Sequence, residues 1–118
     1  MDAWREELVR RFFAVMNEHD AARLDEVFAD GAEIVMGPHT ARGLGEIREI
    51  VLQETPGAQV VSDVKELEQR DADVVASFVR RQSWTASDDP AVEEDLWATF
   101  AFADGRISRA ELLRSPPG

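Results

Sequence analysis

The chain has 118 residues, 44% of them hydrophobic, enough for one folded domain with a real core, and a formal net charge of −11. It contains no cysteine, which excludes disulfides and thiolate chemistry, and only two histidines, so neither a metal site nor a cofactor is expected. The acidic balance disfavours nucleic acid and anionic membranes as partners. No run approaches the roughly 18 apolar residues of a membrane span, and the start MDAWREELVRRFF has no signal-peptide core, so a cytoplasmic location is expected.

Asp2 is placed to cap a helix starting at Ala3. Trp4, Leu8, Phe12 and Val15-Met16 recur at spacings of three and four and form one apolar stripe, widened by Val9 and Phe13. Glu6 with Arg10 and Glu7 with Arg11 are i,i+4 pairs on the wet side. Asn17-Glu18-His19-Asp20 breaks this helix, leaving His19 exposed and Asp20 as the cap of a short second helix through Leu24, Val27 and Phe28. Asp30-Gly31 stops it. Ala32 to Met36 reads as a short strand ended by Gly37-Pro38, and a loop through His39 and Thr40 leads to a third helix from Gly43. Ile47, Ile50 and Val51 mark its apolar face, and Pro56-Gly57 ends it.

The remainder is strand-like. Ala58 to Gln69 and Ala72 to Trp84 are joined by a turn at Asp71 to Asp73, and Ala86 to Val92 is a polar loop. Arg80 and Arg81 are adjacent, so one faces each side of the sheet, and the sequence does not say which. Trp84 and Trp97 fit either a pocket wall or a dimer face.

Leu96 to Phe102 and Ile107 to Leu113 form a closing hairpin around Asp104-Gly105. A two-residue loop would mix Arg109 and Glu111 into the apolar face. A three-residue loop, Ala103-Asp104-Gly105, instead aligns Leu96, Ala98 and Phe100 with Ser108, Ala110 and Leu112. Since burying an unpaired charge costs several kcal/mol, roughly, the three-residue loop is expected. Ala98 then lies opposite Ala110, leaving space that a helix must fill or a ligand can occupy. Residues 1–114 read as a single α+β domain and 115–118 as a frayed tail.

The first helix ending at EHD, then ARLDEVFADGAEI, ARGLGEIREI and FAFADGRISRAELL, in that order, resemble the SnoaL-like group of the nuclear transport factor 2-like superfamily. The resemblance covers nearly the whole chain. It implies a cone-shaped, curved antiparallel sheet wrapped around three N-terminal helices, with an apolar pocket at the wide end and often a homodimer. The superfamily includes steroid isomerases, polyketide cyclases, epoxide hydrolases, binding proteins and transport factors, so function must be argued from the site.

The isomerases' base carboxylate would fall at Met36-Gly37-Pro38, their tyrosine near Phe12, and their protonated acid on Trp97 or Ala98. All three roles are vacant here. The last-strand aspartate of the epoxide hydrolases would fall near Leu112, with Glu111 beside it on the outer face.

The leading expectation is a hydrophobic small-molecule binder whose pocket is lined by Phe12, Met16, Met36, Ala98, Phe100, Ala110 and Leu112. An inward-facing, half-buried carboxylate in that pocket, or His39 itself, would count against a purely binding role. The enzyme alternative is a cyclase, isomerase or hydratase using His39 or Glu33 as acid–base group, since imidazole titrates near neutral pH. A third class is a pocketless dimeric interaction module.

Overall fold

The computed structural model describes residues 1–53 and 55–118. Helix α1 (Ala3–Glu18) is followed by a 3₁₀ turn (Ala21–Arg23), α2 (Leu24–Val27), β1 (Phe28–Met36), β2 (His39–Arg42) and α3 (Gly43–Leu52). Strands β3 (Ala58–Arg70), β4 (Asp73–Trp84), β5 (Val92–Ala103) and β6 (Arg106–Leu113) complete the chain. The sheet order is β2-β1-β6-β5-β4-β3. The sheet does not close, and the helices lie on its inner face to make the expected α+β cone.

Three details depart from the sequence reading. The sheet is mixed rather than wholly antiparallel, because β1 pairs with β6 in parallel while β1–β2 and β3 through β6 pair antiparallel. The stretch through His39 and Thr40 is a strand, turned back on β1 with Met36 opposite His39. Gly37, at φ +59, supplies the backbone angle that a tight hairpin turn needs. Finally, Phe28 opens β1 rather than ending the second helix.

The closing hairpin solves its register problem by another route. The turn is the two-residue one, Ala103 opposite Arg106, with Asp104 and Gly105 both left-handed at φ 54 and 75. Between the Phe102–Ile107 and Ala101–Arg109 pairs, Ser108 is an extra residue. That β-bulge flips the alternation of β6. Ile107 and Ala110 are therefore both buried with Leu96, Ala98 and Phe100, while Arg109 and Glu111 pair with Ala101 and Thr99 on the outer face. Ala98 consequently lies opposite Leu112 and Ala76, and Ala110 opposite Phe100.

Helix α1 fills the space above these small residues. Phe12 sits 5.0 Å from Phe100 and 5.8 Å from Phe28, while Phe13 lies 4.9 Å from Phe78 and 6.1 Å from Phe100. Phe13 thus bridges the ground over the Ala76–Ala98 pair. Edge-on rings add roughly 0.5–1.5 kcal/mol per pair beyond their buried area. Trp4, first in the predicted stripe, stays 41% exposed and packs edge-on against Phe102 with Arg5 over its face.

Asp2 occupies the cap position of α1, but its side chain makes no cap bond and pairs with Arg5 instead. Asp20 does cap, accepting from the Ala22 N–H at 3.2 Å. The pairs Glu6–Arg10 and Glu7–Arg11 form as expected. Residues 115–118 carry no helix or strand, and the Pro117 carbonyl accepts from Arg70 at 3.4 Å. No helix among the described residues is long and apolar enough to cross a membrane.

Candidate functional site

Strand alternation decides which side chains reach the interior near the open end of the cone. Phe78 and Arg80 on β4 face Leu96 and Glu94 on β5, and Ser62 on β3 lies opposite Arg80. Leu112 of β6 continues the surface beside Ala98. Above it stand the last turn of α1 (Met16, Asn17, His19), the β1–β2 turn (Met36, Gly37, Pro38) and the end of α3 (Ile50, Gln53). Together they enclose a half-open cavity of about 490 Å³. Its inner walls are apolar, from Met16, Met36, Ile50, Phe78, Leu96 and Leu112, and its rim is polar.

The cavity lies one step toward the mouth from where the sequence placed it. Met16, Met36 and Leu112 line it. Phe12, Ala98, Phe100 and Ala110 do not: they are 0–3% exposed in the core beneath, covered by α1. Of the positions that the resemblance equated with catalytic groups, Met36, Gly37, Pro38 and Leu112 line the cavity, Phe12 and Ala98 lie in the core, and Trp97 faces outward.

Neither acid–base candidate reaches the cavity. His39 is exposed on the edge strand β2. Glu33 points to the outer face, between the inward Ala32 and Ile34, where it accepts from Arg109 at 3.1 Å and Arg42 at 3.3 Å. The alternation of β1 turns it outward, and two guanidiniums hold it there. Trp97 also lies on the outer face opposite Ser77 and Leu113, and Trp84 is 38% exposed at the end of β4.

Two residues that the sequence reading assigned only to the end of α1 line the cavity instead. His19 is half-buried rather than exposed, in the left-handed conformation that closes α1 (φ 54), with its backbone N–H bonded to the Val15 carbonyl. Its Nδ1 lies 2.8 Å from the Val51 carbonyl oxygen. A carbonyl only accepts, so Nδ1 carries the proton and donates, and in the neutral ring Nε2 is then the basic nitrogen. The bond also satisfies a carbonyl in the last turn of α3 that the helix leaves unpaired. Asn17 acts differently, since its amide donates to the Ser62 carbonyl and accepts from the Ser62 N–H, both at 2.9 Å. It thereby pairs like a strand residue with the free edge of β3.

The rim resolves the Arg80–Arg81 ambiguity. Arg80 faces inward, and Arg81 lies outside opposite Glu93. Glu94 is an inward, half-buried carboxylate, bonded at 2.5 Å to Arg114 and 4.0 Å from Arg80. No cluster of three or more His, Asp or Glu able to hold a metal occurs among the described residues.

No curated protein matches the chain. Several solved structures are similar to it. A candidate polyketide cyclase from Sinorhizobium meliloti is 21% identical, with TM-score 0.74, over 90% of this chain and 93% of that one. An LEH-like epoxide hydrolase of M. tuberculosis is 15% identical, with TM-score 0.73, over 90% and 78%. A Catenulispora acidiphila protein with a ketosteroid isomerase-like fold, in complex with trimethylamine, is 13% identical, with TM-score 0.78, over 92% and 85%. At these identities the likeness establishes the fold. The SnoaL-like domain profile matches residues 9–110, most of the chain, and the protein belongs to that family.

Proposed function

We propose that the protein binds an apolar small molecule in the cavity at the open end of the cone. The observation that carries this reading is the cavity itself: about 490 Å³, within the range of small-molecule sites, apolar inside and polar at one rim. A thermal-shift screen against steroids, polyketides, terpenoids and fatty acids tests it. A ligand at a hundredfold excess over its Kd stabilises the fold by about 2.7 kcal/mol. The variant Met36→Trp, which places a large ring in the cavity, is expected to abolish the shift while His39→Ala keeps it. Silence across the panel, or a shift untouched by Met36→Trp, contradicts the reading.

A second reading, acid–base catalysis on the bound molecule, is favoured by His19, whose ring is fixed by Val51 at the cavity wall. The presence of Glu94 at the rim also weighs against a purely passive pocket. A cyclase, isomerase or hydratase activity then rests on His19, not on His39 or Glu33. The polyketide cyclase and epoxide hydrolase names among the structural relatives agree with that class. Turnover of any bound ligand is expected to fall about 10²–10⁴-fold in His19→Asn, a substitution chosen because Asn tolerates the left-handed backbone. Unchanged turnover in that variant removes His19 from the chemistry.

A further inference from the structure

We infer that the cavity selects molecules bearing a carboxylate, received by Arg80 with the Ser62 hydroxyl beside it; this rests on the binding reading above. Arg80 is the inward member of the arginine pair and lines the cavity next to Phe78 and Leu96. Its guanidinium has no hydrogen-bond acceptor among the described residues: the nearest carboxylate, Glu94, stays at 4.0 Å. Glu94 is instead engaged by Arg114, which also lines the cavity, at 2.5 Å. Among the described residues, Arg80 therefore makes no hydrogen bond and only a long ion pair with Glu94, at the junction of apolar wall and polar rim.

Ser62 is the cross-strand partner of Arg80 and also lines the cavity. Its backbone is held on both sides of the residue by Asn17, at 2.9 Å each way, so the hydroxyl is presented from a fixed strand position. A planar guanidinium fork matches the two oxygens of a carboxylate. Among the described residues that line the cavity, Arg80, Arg114 and Glu94 sum to one positive charge with His19 neutral, which a monoanion neutralises and a phosphate dianion exceeds. The overall charge of −11 repels anions at a distance, but that field is screened beyond about 8 Å at physiological salt. The local arginines decide at contact. The ligand class is thus an apolar body of aromatic or terpenoid size ending in a carboxylic acid.

Titration calorimetry of the purified protein with 2-naphthylacetate and its neutral isostere 2-naphthylacetamide tests this. The acid is expected to bind roughly tenfold more tightly than the amide, as one charge-assisted contact allows. Arg80→Gln is expected to erase that preference, weakening the acid more than the amide, while Arg81→Gln on the outer face preserves it. Equal affinities in the wild type, or a preference that survives Arg80→Gln, overturn the carboxylate assignment but leave the cavity reading standing. Equally tight binding of 2-naphthyl phosphate overturns the choice of a carboxylate. Failure of both acid and amide to bind overturns the cavity reading, and this inference with it.

Discussion

Asn17 and His19 end the same helix, and each uses its side chain to tie that end to a different element. Asn17 satisfies two backbone groups of an edge strand, and His19 satisfies a helix carbonyl. Removing such a partner leaves part-buried groups unpaired, at about 1–3 kcal/mol. Asn17→Ala is therefore expected to lower the unfolding free energy by that amount in urea titration, and an unchanged midpoint would refute the account of its role. Neither function was legible in the sequence. Asn17-Glu18-His19-Asp20 reads as a polar helix terminator, and that reading is right for Asp20, which caps the next turn. What it misses is that the stop falls at the mouth of a cavity, with β3 and the end of α3 within reach. The distant partners, Ser62 and Val51, are invisible to local pattern. For Glu33 and His39, residue chemistry suggested an acid–base role beside the reading of solvated positions, and strand alternation and an edge position put both outside the cavity.

The hairpin of β5 and β6 shows how an element meets two local demands at once. Asp104-Gly105 asks for a two-residue turn, and the apolar pattern asks for a register that such a turn alone would spoil. Ser108 reconciles them as a bulge, so the turn signal and the apolar pattern both hold, while the expected three-residue loop and its Ala98–Ala110 pairing do not. Deleting Ser108 should keep the native pairs, Arg109 with Ala101 and Ala110 with Phe100, in an unbroken ladder, because the extra residue is the one removed. A retained cooperative unfolding transition, with Ile107 and Ala110 still buried, is the expected outcome. Loss of that transition would show that Ser108 is not the extra residue. The face assignment of Leu96, Ala98, Phe100, Ala110 and Leu112 was legible because the core demands it. The facing pairs were not, since they depend on where one extra residue sits.

At the scale of the molecule, the N-terminal helices and the long strands were readable because their apolar periodicities are strong. The parallel pairing of β1 with β6, and the strand nature of β2, are consequences of how the sheet is assembled and carry little local signal. The same division explains the site. Helix α1 spends Phe12 and Phe13 on filling the inner cone, so the space left for a ligand moves outward to the end where α1 has stopped. There the inward residues of β4 and β5 change from Phe78 and Leu96 to Arg80 and Glu94. An apolar interior thus passes into a charged rim along single strands, and the binding proposal rests on that gradient.

The most direct test is an NMR titration of the ¹⁵N-labelled protein with 2-naphthylacetate, following backbone amide shifts. Shifts concentrated at residues 16–19, Met36, Ser62, Arg80 and Leu96, with Glu33, Arg81 and Glu111 undisturbed, are expected. Shifts confined to the outer face, or none at millimolar ligand, would contradict the claim that the mouth of the cone is the functional site.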